Sequence, residues 1–365
     1  MRYLLATLFI FLICFDSVAQ KYSNEFMTIG IGARARAMGN ATVASTNSVM
    51  AGYWNPAALA SLELEGIQGG AMHTEQFAGV AKFDYLGVVV PLAKEHQRLG
   101  ASLIRFGIDD IPNTLSLFEA DGSINYDNVV PFSAADYALL LSYGQRLNTN
   151  KGRFFVGGNA KIIYRQIGSF ASSWGFGVDL SALYHAKKWR LGLVLRDAST
   201  TFNAWSFSLS EQERSVLSLT GNDLPINSVE KTKPQIILGV ARSFRLNDKW
   251  DVLGEMDWIA TTDGQRNTLI SQDPISLDLG VGLEFDFKDF LYFRVGVNNF
   301  QRDNNFFTEN FLTVQPNLGI GLDIAQFRID YAFTDVGEQR NQTYSHVLSL
   351  IVNFKKQTKT NKGNN

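Results

Sequence analysis

From Ser276 to Phe287 every second residue is apolar: Leu277, Leu279, Val281, Leu283, Phe285 and Phe287. The positions between them are Ser, Asp, Gly or Glu. Phe327, Ile329, Tyr331 and Phe333 alternate in the same way with Gln326, Arg328 and Asp330. Between Trp189 and Arg196 one Trp and three Leu alternate with Arg190, Gly192, Val194 and Arg196. A period of two gives a strand with one apolar and one polar face. Several of these runs last nine to twelve residues, the length a tilted strand needs to cross a bilayer.

Fourteen such segments are predicted, beginning near Gly66, Val80, Arg98, Asp136, Arg153, Ser173, Trp189, Pro234, Lys249, Ser276, Phe290, Pro316, Gln326 and Ser345. Short connections (Leu92–Gln97, Asn148–Gly152, Ala186–Lys188, Asn247–Asp248, Lys288–Asp289 and a reversal near Ala325) alternate with longer ones. The long ones are Gly107–Ala135, Asp197–Lys233, Ala260–Ile275, Asn299–Gln315 and Thr334–Tyr344. A soluble sandwich alternates too, but gives no reason for long and short connections to take turns. Outer-membrane barrels have short periplasmic turns and longer external loops. The expected fold is therefore all-β: a transmembrane antiparallel β-barrel of about fourteen strands. Its even strand number puts both termini in the periplasm. The barrel must close, because lipid offers no partner to a free strand edge.

Composition and processing signals agree. Arg2, the apolar run Leu4–Cys14, and the small residues Ser17 and Ala19 have the layout of a secretory signal peptide, with cleavage between Ala19 and Gln20. Cys14 is the only cysteine, so the mature chain has neither disulfides nor a Cys-ligated metal site. The net charge of −2 gives no basic field for nucleic acid. No later apolar stretch approaches the length of a membrane-crossing helix. Phe (27) outnumbers Tyr (12) and Trp (6) together, and Gly reaches 31, which suits a sheet with one greasy face.

Residues 20–62 differ from the rest. Met27–Leu62 is rich in Ala, Gly and small polar residues, with a short helix expected from Ala33 to Ala44 and a turn at Asn55-Pro56. A fourteen-strand barrel is too wide for its own side chains to fill, so this segment is expected to fold inside as a plug or hatch. The division is then 1–19 signal peptide, 20–62 hatch, 63–354 barrel and 355–365 a polar, disordered tail. The lumen-facing set predicted from the alternation is Lys161, Arg165, Asp179, Arg190, Arg196, Arg245, Asp251, Glu255, Asp257, Asp278, Glu284, Asp286, Arg294, Arg328 and Asp330. Their mixed signs allow pairing across the interior.

Catalytic chemistry finds little purchase. Gly30-Ile31-Gly32 lacks the third glycine and the βαβ setting of a dinucleotide loop. His73, His96, His185 and His346 have no metal-ligand spacing, and no Gly-x-Ser-x-Gly elbow occurs. The form an enzyme would take is a loop site built from residues such as His73, Asp109 and Asp110. No motif selects it, so a non-enzyme without cofactor or metal is expected.

The stretch Gly32-Ala33-Arg34-Ala35, Met38-Gly39 and Tyr53-Trp54-Asn55-Pro56-Ala57 resembles the N-terminal signature of the PorV/PorQ family, Bacteroidota outer-membrane proteins of the type IX secretion system. More broadly it resembles the FadL-like barrels. Ala58 departs from the glycine usual in the pattern. The resemblance implies a barrel that binds the signal domains of secreted cargo and passes the cargo to surface-attachment machinery, with membrane lipid as its surroundings. Phe202, Trp205, Phe207, Phe306 and Phe307, in two long aromatic connections, are the candidate partner-binding residues. The alternative is a FadL-like channel for hydrophobic small molecules.

Overall fold

The computed structural model describes residues 23–354 except 94–95, 120, 148–151, 220, 222, 304–310 and 335–343. The signal sequence with Ala19 and Gln20, the C-terminal tail, and Phe306 and Phe307 lie outside the described residues. Strands β1 (Ile67–Gln76), β2 (Ala81–Pro91), β3 (Gln97–Asn113), β4 (Val130–Leu147), β5 (Arg153–Ile167) and β6 (Ala171–Ala186) follow one another as a meander. Next come β7 (Trp189–Arg196), β8 (Thr201–Phe207), β9 (Ser228–Thr232), β10 (Gln235–Arg245) and β11 (Trp250–Thr261). The wall ends with β12 (Ser276–Phe287), β13 (Leu291–Asp303), β14 (Phe311–Ile324), β15 (Phe327–Thr334) and β16 (Ser345–Phe354). β1 pairs with β16, Ile67 opposite Phe354, and the sheet closes into a fourteen-strand antiparallel barrel.

Sixteen segments make fourteen wall positions because two wall strands are interrupted. β6 pairs with β7 along Leu180–Ala186 and with β8 along Ala171–Phe176. β10 pairs with β7, and β9 with β8. At the break Asp197 and Thr200 take positive φ (54° and 60°). The Asp197 amide donates to Asp179 Oδ1 at 2.8 Å. Lys161 Nζ lies 2.8 Å from Asp179 and also pairs with Asp197. The expectation of a single external loop over Asp197–Lys233 is thus corrected. Thr201–Phe207 itself alternates in burial and extends the wall, which leaves 208–227, with the exposed helix Glu211–Leu219, as the loop.

The described connections at the rim of Ile67 and Phe354 are tight. The other rim carries the long connections 114–129, 208–227 and 262–275, with tight turns at 77–80 and 168–170. We call these the short-turn and long-loop rims. Outward positions carry exposed apolar side chains such as Leu180, Leu238, Leu283 and Ile320, so lipid contact stabilises this wall where a soluble protein would meet water.

Candidate functional site: the filled lumen

Residues 23–62 run inside the barrel from rim to rim. Ser23 and Asn24 hydrogen-bond Glu230 and Thr232 of β9 at 3.1 and 2.8 Å, and Glu25 pairs with Arg266 at 2.9 Å, all at the long-loop rim. The other end reaches the short-turn rim, where Leu62 borders a cleft with Ile67 and Phe354. The first described residue, Ser23, and Phe354 therefore sit at opposite rims. The reason is that the segment traverses the whole lumen before it enters β1.

Small residues set the segment's path. Its helix is shorter than expected, Ala33–Ala37, because Gly39 and Asn40 turn to positive φ (63° and 60°). Gly39 also lies so close to Val297 that a Cβ would stand 2.7 Å from its backbone, which only glycine tolerates. A second helix, Ala51–Trp54, leads into a 3-10 turn at Pro56–Ser61. Asn55 caps this turn, accepting from the Ala57 amide at 3.2 Å, and its Nδ2 donates to Val43 O at 2.8 Å. Trp54 Nε1 donates to Ile31 O at 2.9 Å and Tyr53 Oη to Met27 O at 2.5 Å. Gly32, Ala33, Arg34, Met38, Gly39, Trp54, Asn55 and Pro56, scattered over twenty-five positions of sequence, thus come together inside the barrel.

The wall receives the segment differently on its two sides. Toward β11–β15 the contacts are charged. Arg34 Nε meets Glu284 at 2.7 Å, and Glu284 also holds Arg294 (2.6 Å), which reaches Asp330 (2.7 Å). Asp257 accepts the amides of Thr42 and Val43 at 2.8 and 2.9 Å, and Glu255 accepts that of Ala44 at 2.6 Å. Toward β3–β6 the contacts are apolar or neutral: Leu59, Ala57 and Ala58 are fully buried, Ala57 N donates to Ser181 Oγ at 2.9 Å, and Asn159 Nδ2 to Gly52 O at 2.8 Å.

Lumen-facing glycines mark where the backbones touch. A Cβ on Gly280 would stand 2.6 Å from Gly39 O, on Gly192 2.6 Å from Val43 O, and on Gly144 2.6 Å from Pro56 O. The alternation puts these glycines on the polar face, but nothing in it distinguishes a glycine that merely avoids lipid from one that admits a second backbone. The clasp formed by Glu255 and Asp257 was equally hidden, although both belong to the predicted lumen set.

Of that set, Lys161, Arg165, Asp179, Arg245, Asp251, Glu284, Arg294, Arg328 and Asp330 enter ion pairs. The aromatic candidates fare differently. Phe202, Trp205 and Phe207 stand on β8, not in a loop. Phe202 points outward, while Trp205 is buried, facing Phe207 at 6.2 Å and lying under Arg165 at 5.1 Å. His73 pairs with Asp84 on the outer face of β1 and β2, Asp109 pairs with Lys82, and Asp110 occupies a bulge of β3. No catalytic constellation joins the three. No group of His, Cys, Asp or Glu among the described residues is arranged to hold a metal ion.

Two chambers flank the segment. The one at the long-loop rim, about 480 Å³, has Ile29, Val43, Trp54, Ile237 and Ile259 in its lining, together with Arg36, Arg196 and Asp278. The one at the short-turn rim, about 630 Å³, is dominated by charge, including Arg34, Arg190, Asp251, Glu284, Asp286 and Arg328. Arg34 borders the chamber at the short-turn rim and Arg36 the one at the long-loop rim, so the helix Ala33–Ala37 lies between them.

A closed fourteen-strand barrel with an apolar belt and a filled lumen defines a class: transmembrane barrels of the outer membrane. Within that class the fold is the FadL-like one. The chain is similar to the Ralstonia pickettii toluene transporter TbuX (16% identity, 89% of this chain and 98% of that one covered, TM-score 0.55). It is similar to the CymD monoaromatic hydrocarbon channel (13%, 93% and 100%, TM-score 0.55). It is also similar to a Pseudomonas aeruginosa FadL homologue (13%, 88% and 98%, TM-score 0.51). At these identities the likeness is one of fold. No family model and no curated protein matches the sequence.

Proposed function

We propose that this barrel admits small, largely apolar molecules through the outer membrane. The observation that carries the proposal is the chamber at the long-loop rim. Ile29, Val43 and Trp54 of the lumenal segment face Ile237 and Ile259 of the wall across it, with charged groups in the same lining. Binding sites for small molecules have this mixture of apolar surface and a few placed polar groups. Onward passage requires the segment to move, since the helix Ala33–Ala37 lies between the chambers. The resemblance to hydrocarbon channels supports the proposal at the level of fold. The test is uptake of radiolabelled toluene and of a labelled fatty acid by cells with and without the protein. Faster uptake that Ile237→Trp abolishes by filling the chamber is the expected outcome. Equal uptake by a deletion strain, with no binding to purified protein, would remove this function.

The second reading is cargo handling in type IX secretion, with surface-attachment machinery as the receiving partner. It draws support from the motif and from exposed apolar residues on the long loops: Phe118, Tyr126, Leu219 and Ile226. These, in place of the buried Trp205, are the residues to remove. Cargo signal domains should bind the intact protein and lose more than tenfold in affinity with the quadruple alanine variant.

A further inference from the structure

The apolar belt is uneven around the barrel. Counting outward positions from the short-turn rim, β12 presents Phe287, Phe285, Leu283, Val281, Leu279 and Leu277. β6 presents Tyr184, Ala182, Leu180, Val178, Phe176 and Trp174. At a rise of ~3.3 Å per residue and a tilt of ~40°, such a run covers roughly 25 Å of bilayer thickness, the full apolar band. The neighbouring strands β1, β2 and β3 stop after three positions each: Ile67, Gly69 and Ala71; Val90, Val88 and Leu86; Leu99, Ala101 and Leu103.

Charge begins at the next outward row. His73, Asp84 and Arg105 stand directly opposite one another across the three strands. His73 Nδ1 lies 2.6 Å from Asp84 Oδ1, and Arg105 Nη1 donates to Asp84 Oδ2 at 3.4 Å. One row higher Glu75 faces Lys82, and Lys82 Nζ donates to Asp109 Oδ2 at 3.0 Å. The side chains are open to the outside: 56% for His73, 38% for Asp84 and 49% for Lys82. By the same geometry the first row lies roughly 15–20 Å above the rim, within the depth that the greasy walls of β6 and β12 cover. Ionised groups at that depth leave donors and acceptors unsatisfied by lipid, and a guanidinium cannot shed its proton to escape.

We infer that β1–β3 form an interface buried against the same face of a second copy of this chain. The patch sets His73, Lys82 and Arg105 beside Glu75, Asp84 and Asp109, so it carries both signs in nearly equal number. What fits it is a surface balanced in the same way, at the same depth, and a second copy supplies one. A two-fold interface brings one patch onto itself, giving the charges polar partners, with the apolar rows below them packed together. A partner of one charge sign would leave half of the patch opposed by like charge.

The test uses the full chain in native outer membranes. Ala71→Cys places a thiol beside the charged row, and Leu283→Cys places one on the greasy wall opposite. Oxidation should join the Ala71→Cys protein into a species of twice the chain mass, at more than ten times the yield of Leu283→Cys. Adding Glu75→Lys should cut that yield at least fivefold, with the heat-modifiable mobility of a folded barrel unchanged. Equal yields from the two thiols would overturn the inference. So would cross-linking of Ala71→Cys to a protein of another mass, which would give this face to a different membrane partner.

Discussion

The two sides of the lumen hold the same segment by different physics. Toward β11–β15 the grip is electrostatic, through Arg34, Glu284, Arg294 and Asp330, with Asp257 and Glu255 on backbone amides. Toward β3–β6 it is packing, with Leu59 and its alanine neighbours buried against glycines and serines. Packing gains from every buried apolar group and is nearly indifferent to salt. A buried ion network gains little over apolar side chains of similar shape but costs heavily when one member is lost. The charged side is thus the one that a local event can release, and the packed side is the one that stays.

The largest effect should come from removing the guanidinium that joins two buried carboxylates. Arg294→Met leaves Glu284 and Asp330 without it, and should cost about 3–5 kcal/mol of barrel stability, read as a lowered urea midpoint in heat-modifiable mobility. A loss below ~1 kcal/mol would mean that water reaches this network. On the packed side Leu59→Ala should cost about 2–4 kcal/mol, with the same midpoint shift at low and high salt. A salt-dependent loss there would erase the distinction between the sides.

Gly280→Val tests the close approach itself. The added side chain meets Gly39 O, and overpacking of this kind costs about 1–3 kcal/mol. Hydrogen exchange should speed up at the Thr42 and Val43 amides and stay unchanged at Ala57. The smallest effect is expected from Asn55→Ala, which removes the cap and the bond to Val43 O at about 1–2 kcal/mol. It should loosen Pro56–Ser61 without altering exchange in Ala33–Ala37. Changes spread equally over both regions would show that the segment moves as one body.

The wall was legible because its signal is local: the alternation in Ser276–Phe287 is visible without knowing what lies beside it. The composition of Ala33–Ala44, too small and mixed for a strand, sets this segment apart from the wall. Its docking was not legible. Arg34 meets Glu284 and Ala33 meets Ser349 across 250 and 316 positions of sequence, and no period connects them. β8 was missed for a different reason. Asp197-Ala-Ser-Thr reads as the start of a loop, and only the pairing of Trp205 with Ser173 shows that the wall resumes after it. Phe202, Trp205 and Phe207, three of the residues taken for loop anchors, are strand residues in alternation.

The passage of the lumenal segment from rim to rim has a mechanical consequence. The segment is continuous with the wall only where residues 63–66 lead from Leu62 into β1, at the short-turn rim. It is therefore a bolt hinged at one end, with Ser23, the first described residue, held by Glu230 toward its tip. If the bolt is drawn, it leaves by the short-turn rim with the tip following last, and nothing wider than an extended chain can follow through the bore. A folded domain fused ahead of Ser23 and carried past the long-loop rim would act as a crossbar, holding the bolt home. The same domain held back at the short-turn rim would keep the bore from being filled at all.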